Sequence, residues 1–94
     1  MENKIQLSHP AGKNAVKIDA GKYEVMRNAI TQCLNKQALT HKEMHEAINN
    51  YFKKNKIIFD GSVEWYMETV KLDLEAKKIV SRNKEGSKLK FQLT

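Results

Sequence analysis

Three runs of helical periodicity followed by one run of strict alternation constrain this chain more than anything else in it. The second run is the plainest. Thr40 and Glu43 form a capping box, in which each side chain satisfies the other's backbone N–H at a helix start. Met44, Ala47, Ile48, Tyr51 and Phe52 then recur at helical spacing and make one apolar face. The run closes on Lys53, Lys54, Asn55 and Lys56, and cations suit the negative end of a helix dipole.

The flanking runs read the same way. Asp19 is a good N-cap for a first helix reaching about Gln37, with Tyr23, Met26, Ile30, Cys33 and Leu34 inward. A third helix is expected from Ser62 to Lys77, with Val63, Tyr66, Met67, Val70 and Leu74 on its core face. Ala38 and Leu39 form a bridge that can supply a single extended rung. Ile79 to Arg82 reads as a strand and Asn83 to Ser87 as a turn around Gly86. From Lys88 to Leu93, Leu89, Phe91 and Leu93 alternate with Lys88, Lys90 and Gln92, which predicts a second strand with the three apolar residues inward.

Residues 1–18 look extended. Ile5 and Leu7 alternate with polar neighbours, as do Val16 and Ile18, and His9 to Asn14 between them is rich in turn formers. A short β-hairpin or an arm over the core is expected. The fold class is therefore α+β. The order of helix, helix, helix and hairpin is that of a winged helix, with a three-helix core at 19–77, a two-stranded wing at 78–94 and an N-terminal arm at 1–18. Ninety-four residues suit one domain over 1–94.

Composition excludes several classes. With 40% apolar and 30% charged residues the chain is too apolar for a disordered tail. A single cysteine, Cys33, leaves no intramolecular disulfide. Met1 to Ser8 lacks an apolar leader core, and no apolar run approaches membrane-spanning length. A reducing cytoplasm is the expected compartment, with no membrane partner.

Catalytic constellations fail on spacing. His41 and His45 are four apart on one helix, yet the zinc-protease motif needs glutamate directly after the first histidine, and Lys42 stands there. Gly12-Lys13-Asn14 lacks the glycine spacing and hydroxyl of a phosphate loop. Cys33 lies on an apolar face without a base beside it. Asp73 and Glu75, two apart on a helix, point in different directions. The expectation is a non-catalytic chain with no cofactor and no metal.

Charge is more informative by segment than in total. The formal net charge is +6. Residues 57–76 carry Lys71 against Asp60, Glu64, Glu68, Asp73 and Glu75, which leaves −4. Residues 77–94 carry Lys77, Lys78, Arg82, Lys84, Lys88 and Lys90 against Glu85, which leaves +5. In a winged-helix DNA reader the third helix enters the major groove. Here its polar stripe of Glu64, Glu68, Lys71 and Glu75 repels phosphate, so that role is disfavoured.

Two binding surfaces remain. The first is basic: Lys53, Lys54 and Lys56 after the second helix, and Arg82, Lys84, Lys88 and Lys90 on the wing. These suit weak, sequence-independent association with nucleic acid, although exposed hairpins also carry lysines to stay soluble. The second lies on the third helix, where Trp65, Leu72 and Ala76 form an apolar stripe opposite the core face. Either the N-terminal segment or the wing covers this stripe, or a protein partner docks on Glu64, Trp65, Glu68 and Leu72, a second copy included. The oligomeric state stays open.

Gly61-Ser62-Val63-Glu64-Trp65-Tyr66 and Val70-Lys71-Leu72-Asp73-Leu74-Glu75-Ala76 resemble the signature of a small bacterial winged-helix family of unknown function. The Pro10 and Gly12-Lys13 stretch and Lys22-Tyr23-Glu24 look like its N-terminal pattern. The resemblance covers most of the chain and implies the fold. It carries no activity or functional residue across.

Overall fold

The computed structural model describes residues 3–12 and 14–94 and is α+β, with three helices and two small antiparallel sheets. Lys13, within the expected N-terminal turn, lies outside the described residues, as do Met1 and Glu2. The elements are β1 (Lys4–Ser8), β2 (Asn14–Asp19), α1 (Ala20–Leu34), β3 (Leu39–Thr40), α2 (His41–Lys54), α3 (Val63–Ala76), β4 (Val80–Glu85) and β5 (Lys88–Leu93). Among the described residues no helix is long and apolar enough to cross a membrane.

Helix starts follow side-chain chemistry. Asp19, Thr40 and Ser62 accept hydrogen bonds from the backbone N–H of Lys22, Glu43 and Trp65. At Thr40 the capping box is complete, because the Thr40 N–H donates to Glu43 Oε1 at 2.9 Å. That bond holds the Glu43 carboxyl below its ordinary pKa. The first helix ends at Leu34, short of Gln37, since the chain must turn to bring Leu39 opposite Phe91 in the sheet. Helices α2 and α3 end on lysines with positive φ, Lys56 and Lys78. In both, the next N–H reaches back to close the last turn, Ile57 to the Phe52 carbonyl and Ile79 to the Leu74 carbonyl.

The three-stranded sheet runs in the order β3-β5-β4. Its hairpin turn is tighter than the sequence suggests. Gly86 has φ +63 and permits a two-residue turn, so Asn83, Lys84 and Glu85 all join β4. Only part of the expected alternation is buried. Phe91 is buried, Leu93 half-buried, and Leu89 is 40% exposed. Leu89 pairs with Lys84 near the hairpin tip, beyond the Phe91–Arg82 rung that meets α3.

A single core joins all the elements. Leu7 and Ile18 from the N-terminal hairpin, Met26 and Ile30 from α1, Met44 and Ile48 from α2, Met67, Val70 and Leu74 from α3, and Val80 and Phe91 from the sheet all belong to it. The N-terminal segment is thus a β1–β2 hairpin built into the core.

Asp73 departs most from expectation, because it sits at 0% exposure. Burying a carboxylate is costly unless its lone pairs are filled. Three donors fill them: the Ser8 N–H at 2.8 Å, the Tyr23 hydroxyl at 2.6 Å and the Lys77 ammonium at 2.8 Å. They come from β1, α1 and the end of α3, so one side chain ties the N-terminal hairpin to two helices.

Asp73→Ala should therefore cost about 3–5 kcal/mol, because it strands a buried donor set and removes the partner of a cation. Tyr23→Phe should cost about 1–2 kcal/mol. Chemical denaturation measures both. Stability should also fall in alkali. Burial, then the Asp73 bond, raises the Tyr23 phenol. Burial pulls the Lys77 ammonium down, but the bonds to Asp73 and Tyr23 outweigh it and leave that pKa raised. Both protonated forms are thus favoured by folding. Their contribution is full below the unfolded values near about pH 10 and is lost as pH rises through the raised ones. Thermal midpoints should hold from pH 8 to about 10 and decline above that, and Tyr23→Phe should flatten the decline.

Candidate interaction surfaces on the third helix and the basic hairpin

The acidic stripe of α3 is not one surface. Glu75 is turned inward, its side chain 6% exposed, and Arg82 from β4 grips it with two bonds of 2.8 and 2.9 Å. Those bonds hold the Arg82 guanidinium above its ordinary pKa. Lys71, expected on the polar stripe, is 2% exposed. Its ammonium lies 3.8 Å from the centre of the Phe91 ring and 3.1 Å from Glu68. Glu68 also meets His41 Nδ1 at 3.2 Å. Beyond Glu64 the stripe is therefore consumed in binding α3 to β4, β5 and α2.

Glu64 alone of the stripe's carboxylates has no ion-pair partner among the described residues. It is exposed in the first turn of α3, beside Trp65. Trp65 is 46% exposed. Its ring stands edge-on to Tyr66, with centroids 4.8 Å apart, and Tyr66 meets Phe59 edge-on at 5.1 Å. Phe59 stacks on buried Phe52 at 5.5 Å. This aromatic row holds the indole in place and leaves its outer side bare. An open cleft of about 490 Å³ lies there, lined by His41, Ser62, Glu64, Trp65 and Glu68. The expected cover is absent at Trp65. The N-terminal hairpin meets α3 at Asp73, and Leu72 and Ala76 are half-buried. Ile58, in the preceding loop, is almost fully exposed.

The basic candidates divide into two groups. Lys53, Lys54 and Lys56 are all exposed at the end of α2. On the C-terminal hairpin Lys84 and Lys88 are exposed, and among the described residues neither has an ion-pair partner. Arg82 is committed to Glu75, and Lys90 is half-buried and lies 3.5 Å from Glu85. Two of the four hairpin candidates thus serve the fold. Sequence spacing missed this because the Arg82–Glu75 pair spans two elements.

The remaining chemistry is sparse. Burial raises the Cys33 thiol, which disfavours the nucleophilic thiolate. Among the described residues no three His, Cys, Asp or Glu side chains gather as a metal-binding set.

Arg82→Ala should cost about 1–3 kcal/mol, because it leaves the Glu75 carboxylate buried and unpaired. Lys84→Ala and Lys88→Ala should stay within about 0.5 kcal/mol of the parent. Urea denaturation of the three variants separates the structural cation from the two available ones.

Residues 4–91 match a family of unknown function, DUF6958. No curated protein and no solved structure matches the chain.

Proposed function

We propose that this chain, which belongs to family DUF6958, is a non-catalytic winged-helix domain that docks a protein partner on the N-terminal half of α3. The winged-helix reading is supported by the order α1, β3, α2, α3, β4, β5 and by β5 lying between β3 and β4. The β4–β5 hairpin is then the wing, and the β1–β2 hairpin is an addition.

One observation carries the docking reading: Trp65 is half exposed, although the chain builds a three-ring support behind it. A rigidly held aromatic with one bare side is the usual form of an anchor at a protein interface. The unpaired Glu64 beside it sets the preferred charge of the partner as positive. A groove-reading role is disfavoured, because the surface that α3 would bring to DNA carries the exposed Glu64 and, half-buried beside it, Glu68.

A second reading rests on Lys53, Lys54, Lys56, Lys84 and Lys88. All five are exposed, and none has an ion-pair partner among the described residues. They suit weak contact with nucleic-acid phosphates, which positions a protein without reading sequence.

A photo-cross-linking amino acid in place of Trp65, and another in place of Lys84, tests both readings in native extract. The docking reading expects cross-links from position 65 to protein that survive nuclease treatment. No cross-link from position 65, with nuclease-sensitive ones from position 84, would overturn it. The nucleic-acid reading expects amide shifts around the five lysines on titration with duplex DNA, fading steeply with salt.

A further inference from the structure

We propose that the partner on α3 is the C-terminal hairpin of a second copy of this chain, in a two-fold pair where each copy supplies both surfaces. The inference rests on the reading of the Trp65 face as a docking surface and names its occupant.

The two surfaces match in charge and in apolar content. On α3 an exposed indole stands beside an unpaired carboxylate, Trp65 next to Glu64. On the hairpin an exposed aliphatic side chain stands beside an unpaired ammonium. Leu89 and Lys84 are direct cross-strand partners, so their side chains project from the same face of the ribbon. Lys88, also exposed, adds a second ammonium at the tip.

The surfaces do not satisfy each other within one copy. Leu89 and Trp65 are both open, and among the described residues neither Lys84 nor Glu64 has an ion-pair partner. A different basic partner could use the α3 face, but it would leave the Leu89–Lys84 rung uncovered. A second copy covers both. Two-fold symmetry follows from economy of contact. A ribbon tip on one helix face is small against the roughly 1,200–2,000 Å² of a stable interface, and a reciprocal pair makes that contact twice. Contacts carried by charge at an exposed rim weaken with salt.

The experiment is a charge exchange followed by molar mass in solution. At about 50 mM salt the parent chain should double its mass as concentration rises toward the millimolar range, and about 0.5 M salt should restore the single-chain mass. Glu64→Lys and Lys84→Glu should each weaken self-association by roughly tenfold or more, because each sets like charges together at both contacts. Mixed in equal amounts, the two variants should recover association. In the mixed pair one contact is the original Lys84–Glu64 pairing and the other is its reverse. Leu89→Asp should give the same loss without altering either partner of that ion pair. All these positions are exposed, and unchanged amide spectra of the single variants at high salt check the fold.

A parent chain of single mass across that range would overturn the proposal. So would a double mass indifferent to both charge reversals, or a mixture that fails to recover. These failures differ from failure of the docking reading. A monomer whose position 65 still cross-links to another protein keeps the α3 face as a docking site and loses only the second copy.

Discussion

A carboxylate with no contact to water sits where three parts of the chain meet, and the architecture depends on how it is satisfied. Asp73 is on α3, yet its acceptors are filled from β1, from α1 and from the residue that caps α3. The N-terminal hairpin is docked by backbone as well as by side chain, since the Ser8 N–H is one of the three donors. A hydrophobic pair at that place would hold the hairpin without fixing its register. A directional set of three bonds fixes where Ser8 lies, and with it the depth to which Leu7 enters the core. The pairing of β1 with β2 shifts register between Gln6 and Ser8, so that irregularity lies beside the bond to Asp73.

Much of the scaffold was legible from spacing. The capping box at Thr40, the apolar face of α2, the rung at Leu39, the N-cap at Asp19 and the start of α3 near Ser62 follow local rules that need no tertiary partner. The turn at Gly86 was legible as a turn but not in length, because pairing between Glu85 and Lys88 decides that. Asp73 and Lys71 were not legible as buried. Periodicity assigns a polar residue to the outside, and only a partner from elsewhere in the chain can reverse that assignment. For Lys71 the partner is the face of Phe91, twenty residues on. The ends of α2 and α3 were legible, but the left-handed backbone at Lys56 and Lys78 that closes them was not. Glycine is the ordinary signal for a left-handed residue after a helix, and lysine stands there in both cases.

The candidate surfaces changed for the same reason. As a sequence, α3 carries an acidic stripe and the hairpin a basic one, and both look available. In the fold they partly neutralise each other through Arg82 with Glu75, while Lys71 meets Glu68 within the helix itself. Opposite charge in neighbouring segments was the visible trace of that pairing. What survives at the surface is narrower: Glu64 beside Trp65 on one side, and Lys84 and Lys88 on the hairpin.

Helix α3 is therefore divided along its length. Its C-terminal half, from Val70 to Ala76, holds Asp73, Lys71, Leu74 and Glu75, each engaged by another part of the chain. Its N-terminal half presents Glu64 and Trp65 outward and commits Met67 alone to full burial. Such a division lets one half of the helix be fixed by the core while the other keeps a rigid aromatic in position. Rigidity matters here because an anchor already held in place loses little conformational entropy when a partner covers it. The row from Phe52 through Phe59 and Tyr66 to Trp65 supplies that rigidity, and it begins in the core. The cost of ordering Trp65 is thus met when the chain folds, before any partner arrives.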